Sequence, residues 1–264
     1  MDNFEIIEYA LWNCIPGICE EMPKLTAYKP KAKNSDVGVV IFPGGAYMGR
    51  AEHEGAGYAR FLARNGITAF VCDYRVHPHK FPLPLLDARR AVQLVRFMAD
   101  EYKIDKKKIA VMGSSAGGHL AALVSTYYEE LNIDNKDEVD KEDYIPNAQI
   151  LCYPVIKLVS KRDGAHIASA KFLLGDKAMD MGDALTPEYL ISDKTPPCFI
   201  WHTFEDKEVS VVNSIDYVKS LKKYNILTEF HIFPYGEHGL GLAEKEEHTF
   251  KWSGLMLDWL KMVF

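Results

Sequence analysis

The feature that most constrains this chain is a repeated alternation of short, β-rich apolar runs with amphipathic helical patterns. Val37–Phe42, Thr68–Asp73, Ile109–Met112, Ala148–Tyr153, Cys198–Thr203 and Glu229–Phe233 read as strands. Several are apolar throughout rather than at every second residue, as expected of strands covered on both faces. Between them, Ala56–Arg64, Leu85–Tyr102, Gly118–Tyr127, Val211–Tyr224 and Phe250–Met262 read as helices; in the second, Ala88, Ala91, Val92, Val95 and Met98 recur at helical spacing. Strand and helix in alternation predict an α/β fold, a mainly parallel central sheet with helices on both faces. Such sheets carry their chemistry at the carboxyl ends of the strands.

The 264 residues suit a single domain spanning 1–264, and 48% apolar content is enough for a substantial core. Phe4–Trp12 and Lys24–Lys29 are candidates for antiparallel edge strands. Leu131–Tyr144 is dense in charge and reads as a solvated loop. Lys157–Pro197 is long for a connection within a domain and is expected to form a small cap or lid, segment 157–197.

A net charge of −6 argues against a nucleic-acid partner. The five cysteines (Cys14, Cys19, Cys72, Cys152, Cys198) are odd in number and form no CxxC, so neither a disulfide framework nor a metal site is suggested. The acidic N-terminal stretch MDNFEIIEYALWN does not resemble a secretory signal, and no apolar run reaches the roughly 18 residues of a membrane span. A soluble cytoplasmic protein is expected. With no Walker A, G-x-G-x-x-G or HExxH pattern, no cofactor is implied.

The strand ends hold an ordered set of reactive residues. Gly113-Ser114-Ser115-Ala116-Gly117 is a G-x-S-x-G between a strand pattern and a helix pattern. That setting exposes a serine on a sharp turn, and the glycines permit the tight backbone. A hydroxyl becomes an effective nucleophile only beside a base. After the strand Cys198–Thr203 come Glu205 and Asp206; Asp206 is the candidate acid, with Glu205 the fallback. Of the three later histidines, His231 lies inside a strand pattern and His248 in a charged run. His238, in the glycine-flanked loop PYGEHG, is the candidate base. Phe42-Pro43-Gly44-Gly45-Ala46-Tyr47 follows the first parallel strand; the N–H groups of Gly45 and Ala46, together with that of Ala116, could hold a developing oxyanion. Tyr47 suits either a substrate pocket or the core. His119 and His202 read as packing or hydrogen-bonding residues near the site, and His77 and His79 as members of a proline-spaced loop. The four tryptophans read mainly as core.

Taken together, VVIFPGGAYMGR, HEGAGYARFLARNGITAFVCDYRV, FPLPLLDARRAVQLVR, KIAVMGSSAGGHLAALV, TPPCFIWHTFEDKEVSV and FPYGEHGLGL resemble the bacterial acetyl-esterase and lipase group of α/β-hydrolases. They are close to carbohydrate acetyl esterases and to feruloyl/acetyl-xylan-esterase-like proteins. The resemblance implies the α/β-hydrolase fold, with Ser115 as nucleophile, Asp206 as acid and His238 as base. Pro43 and Ala46 replace the histidine and third glycine of the lipases' His-Gly-Gly-Gly; because the donors are backbone groups, the oxyanion hole is expected to persist. The resulting expectation is a serine ester hydrolase for short acyl, mainly acetyl, esters, with sugar esters among the candidates. A peptidase or thioesterase using the same three residues, or a non-catalytic binding module, is the alternative. The expected partner is a small-molecule ester; the oligomeric state stays open, a homodimer being one option.

Overall fold

A computed structural model describes residues 3–13, 22–32, 35–131, 136–159 and 163–264. The strands are β1 (Phe4–Ala10), β2 (Lys24–Pro30), β3 (Gly38–Phe42), β4 (Thr68–Cys72), β5 (Ile109–Ser114), β6 (Ala148–Cys152), β7 (Cys198–Thr203) and β8 (Thr228–Phe233). They form one sheet in the order β1-β2-β4-β3-β5-β6-β7-β8. β2 pairs antiparallel with β1 and with β4, and every other pairing is parallel. Of the two N-terminal strand candidates, then, β1 is an edge and β2 is internal.

The helices are α1 (Glu52–Arg64), α2 (Leu83–Phe97), α3 (Ala99–Tyr102), α4 (Ser115–Thr126), α5 (Ile167–Leu174), α6 (Ala178–Met181), α7 (Pro187–Leu190), α8 (Val212–Lys223) and α9 (Lys251–Val263). The two faces of the sheet divide them by residue parity. Val40, Phe42, Ile109 and Val111 enter a core with α2, α4 and α8, whereas Val39, Ile41, Ala110 and Met112 enter a core with α1 and α9. This explains the unbroken apolar runs: alternate side chains face opposite cores, and burying each large one contributes about 1.5–3 kcal/mol.

Three expectations change. α1 begins at Glu52, a turn before the apolar pattern, with Glu52 and Glu54 in a first turn that favours negative charge. The helix read over Leu85–Tyr102 breaks at Met98 into α2 and α3. The described residues 136–144 of the charged stretch are fastened down: Asp137 caps a short 3₁₀ turn, Glu138–Lys141, and forms a paired contact with the buried Arg90 of α2. Arg96 of α2 donates to the carbonyls of Asp143 and Ile145.

Residues 163–197, the larger described part of the 157–197 segment, carry α5, α6 and α7 between irregular turns. Leu158, Leu173, Leu174 and Leu185 pack into the α2/α4 core. The Lys157 ammonium, largely buried, donates to Asp216 at 2.5 Å. Cys72, Cys152 and Cys198 are free and buried; Cys14 and Cys19 lie outside the described residues.

Candidate active site

Strand order reverses between β3 and β5: the chain leaves β3 for β4 on one side and leaves β5 for β6 on the other. A crevice at the carboxyl ends is the usual result, and ligands bind there in open α/β sheets. Ser115 stands in that position as the first residue of α4, with φ +52°. A non-glycine residue in this region is strained and persists only when its surroundings hold it. Here β5 is paired on both sides, and the Val155 N–H donates to the Ser115 carbonyl at 2.9 Å. Gly117 lets α4 approach the end of β3, since a Cβ there would collide with the carbonyls of Phe42 and Pro43.

The loops after the adjacent parallel strands β7 and β8 carry Asp206 and His238. His238 Nε2 is 2.8 Å from Ser115 Oγ, and His238 Nδ1 is 2.7 Å from Asp206 Oδ2. Asp206 Oδ1 accepts from the N–H groups of Glu208 and Val209 at 3.0 and 2.9 Å. His202 adds a further contact, with Nε2 at 3.2 Å from Asp206 Oδ2 and 2.8 Å from the Val209 carbonyl. A carbonyl only accepts, so His202 Nε2 carries a proton, while Nδ1 faces Ser214 Oγ at 2.7 Å. Burial pushes the Asp206 carboxyl up, but the hydrogen bonds from His202 and His238, the His238 charge and the Val209 N–H outweigh it and hold the group well below the usual carboxylate range. Asp206 is therefore ionised, and in the neutral ring it keeps the proton on His238 Nδ1, leaving Nε2 to accept from the serine hydroxyl.

The loop after β3 turns through three left-handed residues, Gly45 (φ +133°), Ala46 (+55°) and Tyr47 (+61°). Successive N–H groups in such a turn converge into an anion-binding concavity. The loop is tied on every side. Gly44 N–H donates to Glu54 at 2.8 Å, Tyr74 O–H to the Pro43 carbonyl at 2.6 Å, and His77 N–H to the Tyr47 carbonyl at 2.7 Å. Among the described residues the N–H groups of Gly45 and Ala46 have no protein acceptor. The Ala116 N–H lies in the first turn of α4, where helix donors lack intrahelical partners.

Tyr47 belongs to the core rather than to a pocket. It is fully buried, edge-on to Tyr74, and its hydroxyl lies 2.7 Å from His119 Nδ1. His119 Nε2 donates to the Leu185 carbonyl at 2.8 Å, so Nδ1 accepts from Tyr47. Burial lowers the His119 imidazole to about 4, and it stays neutral in this bridge. Glu205 accepts from the Gly236 N–H at 3.3 Å and braces the histidine loop. His231 is bonded to Glu229, and His248 packs on Phe233. A cavity of about 410 Å³ beside His238 is lined by Glu205, Lys207, Glu208 and Glu237. Among the described residues no group of three or more His, Cys, Asp or Glu side chains is placed to hold a metal ion.

Sequence reasoning passed over Glu54, Tyr58 and Tyr153, all buried around the site. The available signal was Glu54 itself, an acidic residue one helical turn before the apolar stripe of α1; nothing local distinguishes it from a surface glutamate.

Comparison with known proteins gives a consistent picture. The BD-FAE family model matches residues 25–221. Endo-1,4-beta-xylanase B of Butyrivibrio fibrisolvens is 36% identical over 245 residues, covering 88% of this chain and 37% of that protein. Acetylxylan esterase of Xylanibacter ruminicola is 30% identical over 234 residues, covering 85% of this chain and 45% of that protein. The chain thus spans less than half the length of these two relatives. The crystal structure of an acetyl ester-xyloside bifunctional hydrolase from Caldicellulosiruptor lactoaceticus superposes with a TM-score of 0.90 at 39% identity, over 97% of this chain and 96% of that one. A propionate-bound esterase from Thermogutta terrifontis gives 0.78 at 26% identity, over 99% and 94%. With its mainly parallel sheet, its serine at a strand–helix turn and these relatives, the chain belongs to the BD-FAE family and has the α/β-hydrolase fold.

Proposed function

We propose that the protein is a serine carboxylic-ester hydrolase that removes short acyl groups, acetyl foremost, from hydroxyl-rich alcohols such as sugars. The observation that carries this reading is the continuous contact from Ser115 Oγ through His238 to the buried Asp206, at 2.8 and 2.7 Å. Ser115 Oγ attacks the ester carbonyl while His238 Nε2 takes its proton, and Asp206 stabilises the imidazolium. The carbonyl oxygen becomes an oxyanion facing the N–H groups of Gly45, Ala46 and Ala116. Collapse expels the alcohol, which takes the proton from His238, and leaves an acyl-serine. Water then adds to that acyl group with His238 again accepting a proton, and collapse releases the acid and restores the Ser115 hydroxyl.

The substrate class rests on two supports. The cavity beside His238 is rimmed by charged side chains rather than by a long apolar wall, which suits a polar alcohol. Two relatives are named as an acetylxylan esterase and an acetyl ester-xyloside hydrolase. The test is hydrolysis of p-nitrophenyl esters from acetate to decanoate and of acetylated xylo-oligosaccharides, with Ser115→Ala as control. We expect a preference for acetate and a fall in kcat on the order of 10⁶-fold in the variant. Undiminished turnover by Ser115→Ala would remove the serine from the mechanism.

A further inference from the structure

Glu54 is a buried carboxyl that the reaction above does not use. Its side chain is 3% exposed, and the solvent-facing His53 lies with its Nε2 3.9 Å from Oε1. A buried carboxyl is costly unless its oxygens are matched by donors. Both are matched here, and both matches lead to the site. Oε2 accepts from the Gly44 N–H at 2.8 Å, in the loop that holds Gly45 and Ala46. Oε1 accepts from the Tyr153 hydroxyl at 2.7 Å. Tyr153 in turn accepts from the Gly241 N–H at 2.8 Å and packs its ring 5.2 Å from that of His238. Since the Tyr153 proton goes to Glu54, Tyr58 is the donor in its 3.1 Å contact with Tyr153; Tyr58 also lies 2.8 Å from Ser114 Oγ, one residue before the nucleophile.

One side chain thus ties together the loop after β3, the turn after β5 and the loop after β8. The fit is close: a Cβ on Gly44 would strike Glu54 Oε2, so the glycine is needed for the carboxyl to reach the backbone N–H. With the Gly44 N–H engaged inward, the next two N–H groups turn through left-handed residues. The neighbouring His53 repeats the pattern at the surface, its Nε2 donating to the Gly239 carbonyl at 2.8 Å.

We infer that Glu54 is a positioning residue that holds the oxyanion loop in register with Ser115 and His238, and so acts on the transition state rather than on substrate binding. This rests on the esterase reading above. Glu54→Gln keeps the shape but offers one acceptor oxygen where two donors now meet oxygens, so one of the two ties must break. The experiment measures kcat and KM on p-nitrophenyl acetate, together with the affinity of a trifluoromethyl ketone that forms the tetrahedral adduct. We expect kcat to fall about 10- to 100-fold, less than the roughly 10²–10³ for deleting an oxyanion donor outright. KM should change little, because the uncharged ground-state carbonyl gains little from the loop. Ketone affinity should fall in step with kcat/KM, which a merely structural role would not produce.

Tyr153→Phe breaks the same network from the other end and serves if Glu54→Gln does not fold. It should lower kcat and ketone affinity in the same direction, and the double variant should lose less than the product of the single losses. Either variant, folded, with kcat and ketone affinity within about twofold of wild type, or with its loss confined to KM, overturns the inference. Wild type and Ser115→Ala separate the two levels. An active wild type with an inert Ser115→Ala and an unaffected Glu54→Gln sinks only the role of Glu54. A wild type that hydrolyses no ester sinks the esterase reading, and the inference with it.

Discussion

At the scale of single residues, the site depends on groups held where their own preferences would not place them. Ser115 sits at φ +52°, and Gly117 gives the clearance that makes this possible. In Gly117→Ala the added methyl meets two backbone carbonyls, which cannot rotate away as a side chain could. The turn or the loop after β3 must therefore shift, and displacements near 1 Å cost about 10²-fold in rate. A fall of that order in kcat/KM, measured on protein still folded by circular dichroism, is the expected outcome; activity equal to wild type would show that the turn has slack. Asp206→Asn is a second test. Asp206 Oδ2 accepts from both His238 and His202, and an amide cannot offer four acceptor contacts. With the tautomer of His238 no longer fixed, kcat should drop about 10⁴-fold, while Glu205, engaged with Gly236 instead, should not substitute for it.

At the scale of elements, α2 is unusual in burying its charges. Asp87, fully buried, receives a two-pronged contact from Arg75 at 2.6 and 2.7 Å, the Arg75 N–H at 2.8 Å and the Trp12 indole at 2.7 Å. This joins the segment after β4, the N-terminal segment and α2 around one carboxylate. Asp87→Ala would remove the carboxylate that the buried Arg75 guanidinium and the Trp12 indole both meet. The expected loss is about 3–5 kcal/mol of stability, measurable by urea unfolding; a loss below about 1 kcal/mol would mean that Arg75 finds water or another acceptor. Arg90 and Arg96 hold the acidic stretch in the same way. Sequence periodicity found α2 from its apolar residues and left open where its arginines point. A guanidinium aimed at a loop has the same local pattern as one aimed at water, and Asp137, Asp143 and Ile145 lie 47 to 49 residues from the arginines that meet them.

At the scale of the whole molecule, His119 bridges α4, the loop after β3 and the 157–197 segment, through Tyr47 and the Leu185 carbonyl. Its imidazole, lowered to about 4 by burial, couples this bridge to pH. Unfolded, it takes a proton near 6.5; folded, it resists until about 4. Between those values the unfolded state binds more protons, so stability falls as pH falls from about 6.5 to about 4, by on the order of 3 kcal/mol in total. Asp206, held below its ordinary value, contributes stability that is lost only at still lower pH, below the ordinary carboxylate range of about 4. Urea unfolding at pH 7 and pH 4.5 should therefore show a shallower pH dependence in His119→Asn than in wild type, on top of a lower baseline. Parallel slopes would exclude the buried neutral histidine as the cause.

Much of this protein was determined by local sequence alone. The unbroken apolar runs specified a sheet covered on both faces, the alternation with helices specified mainly parallel strands, and G-S-S-A-G between a strand and a helix marked the turn that carries Ser115. The order of Ser115, Asp206 and His238 along the chain was also readable, because each follows a strand end. Other features were decided only by tertiary structure. The left-handed run at Gly45–Tyr47, the burial of Tyr47, the second histidine on Asp206 and the buried Glu54 all depend on groups far apart in the chain. Periodicity reports how a residue relates to its own helix or strand. Whether a polar side chain faces water or a distant hydrogen-bond partner is set by packing, and packing has no local signature.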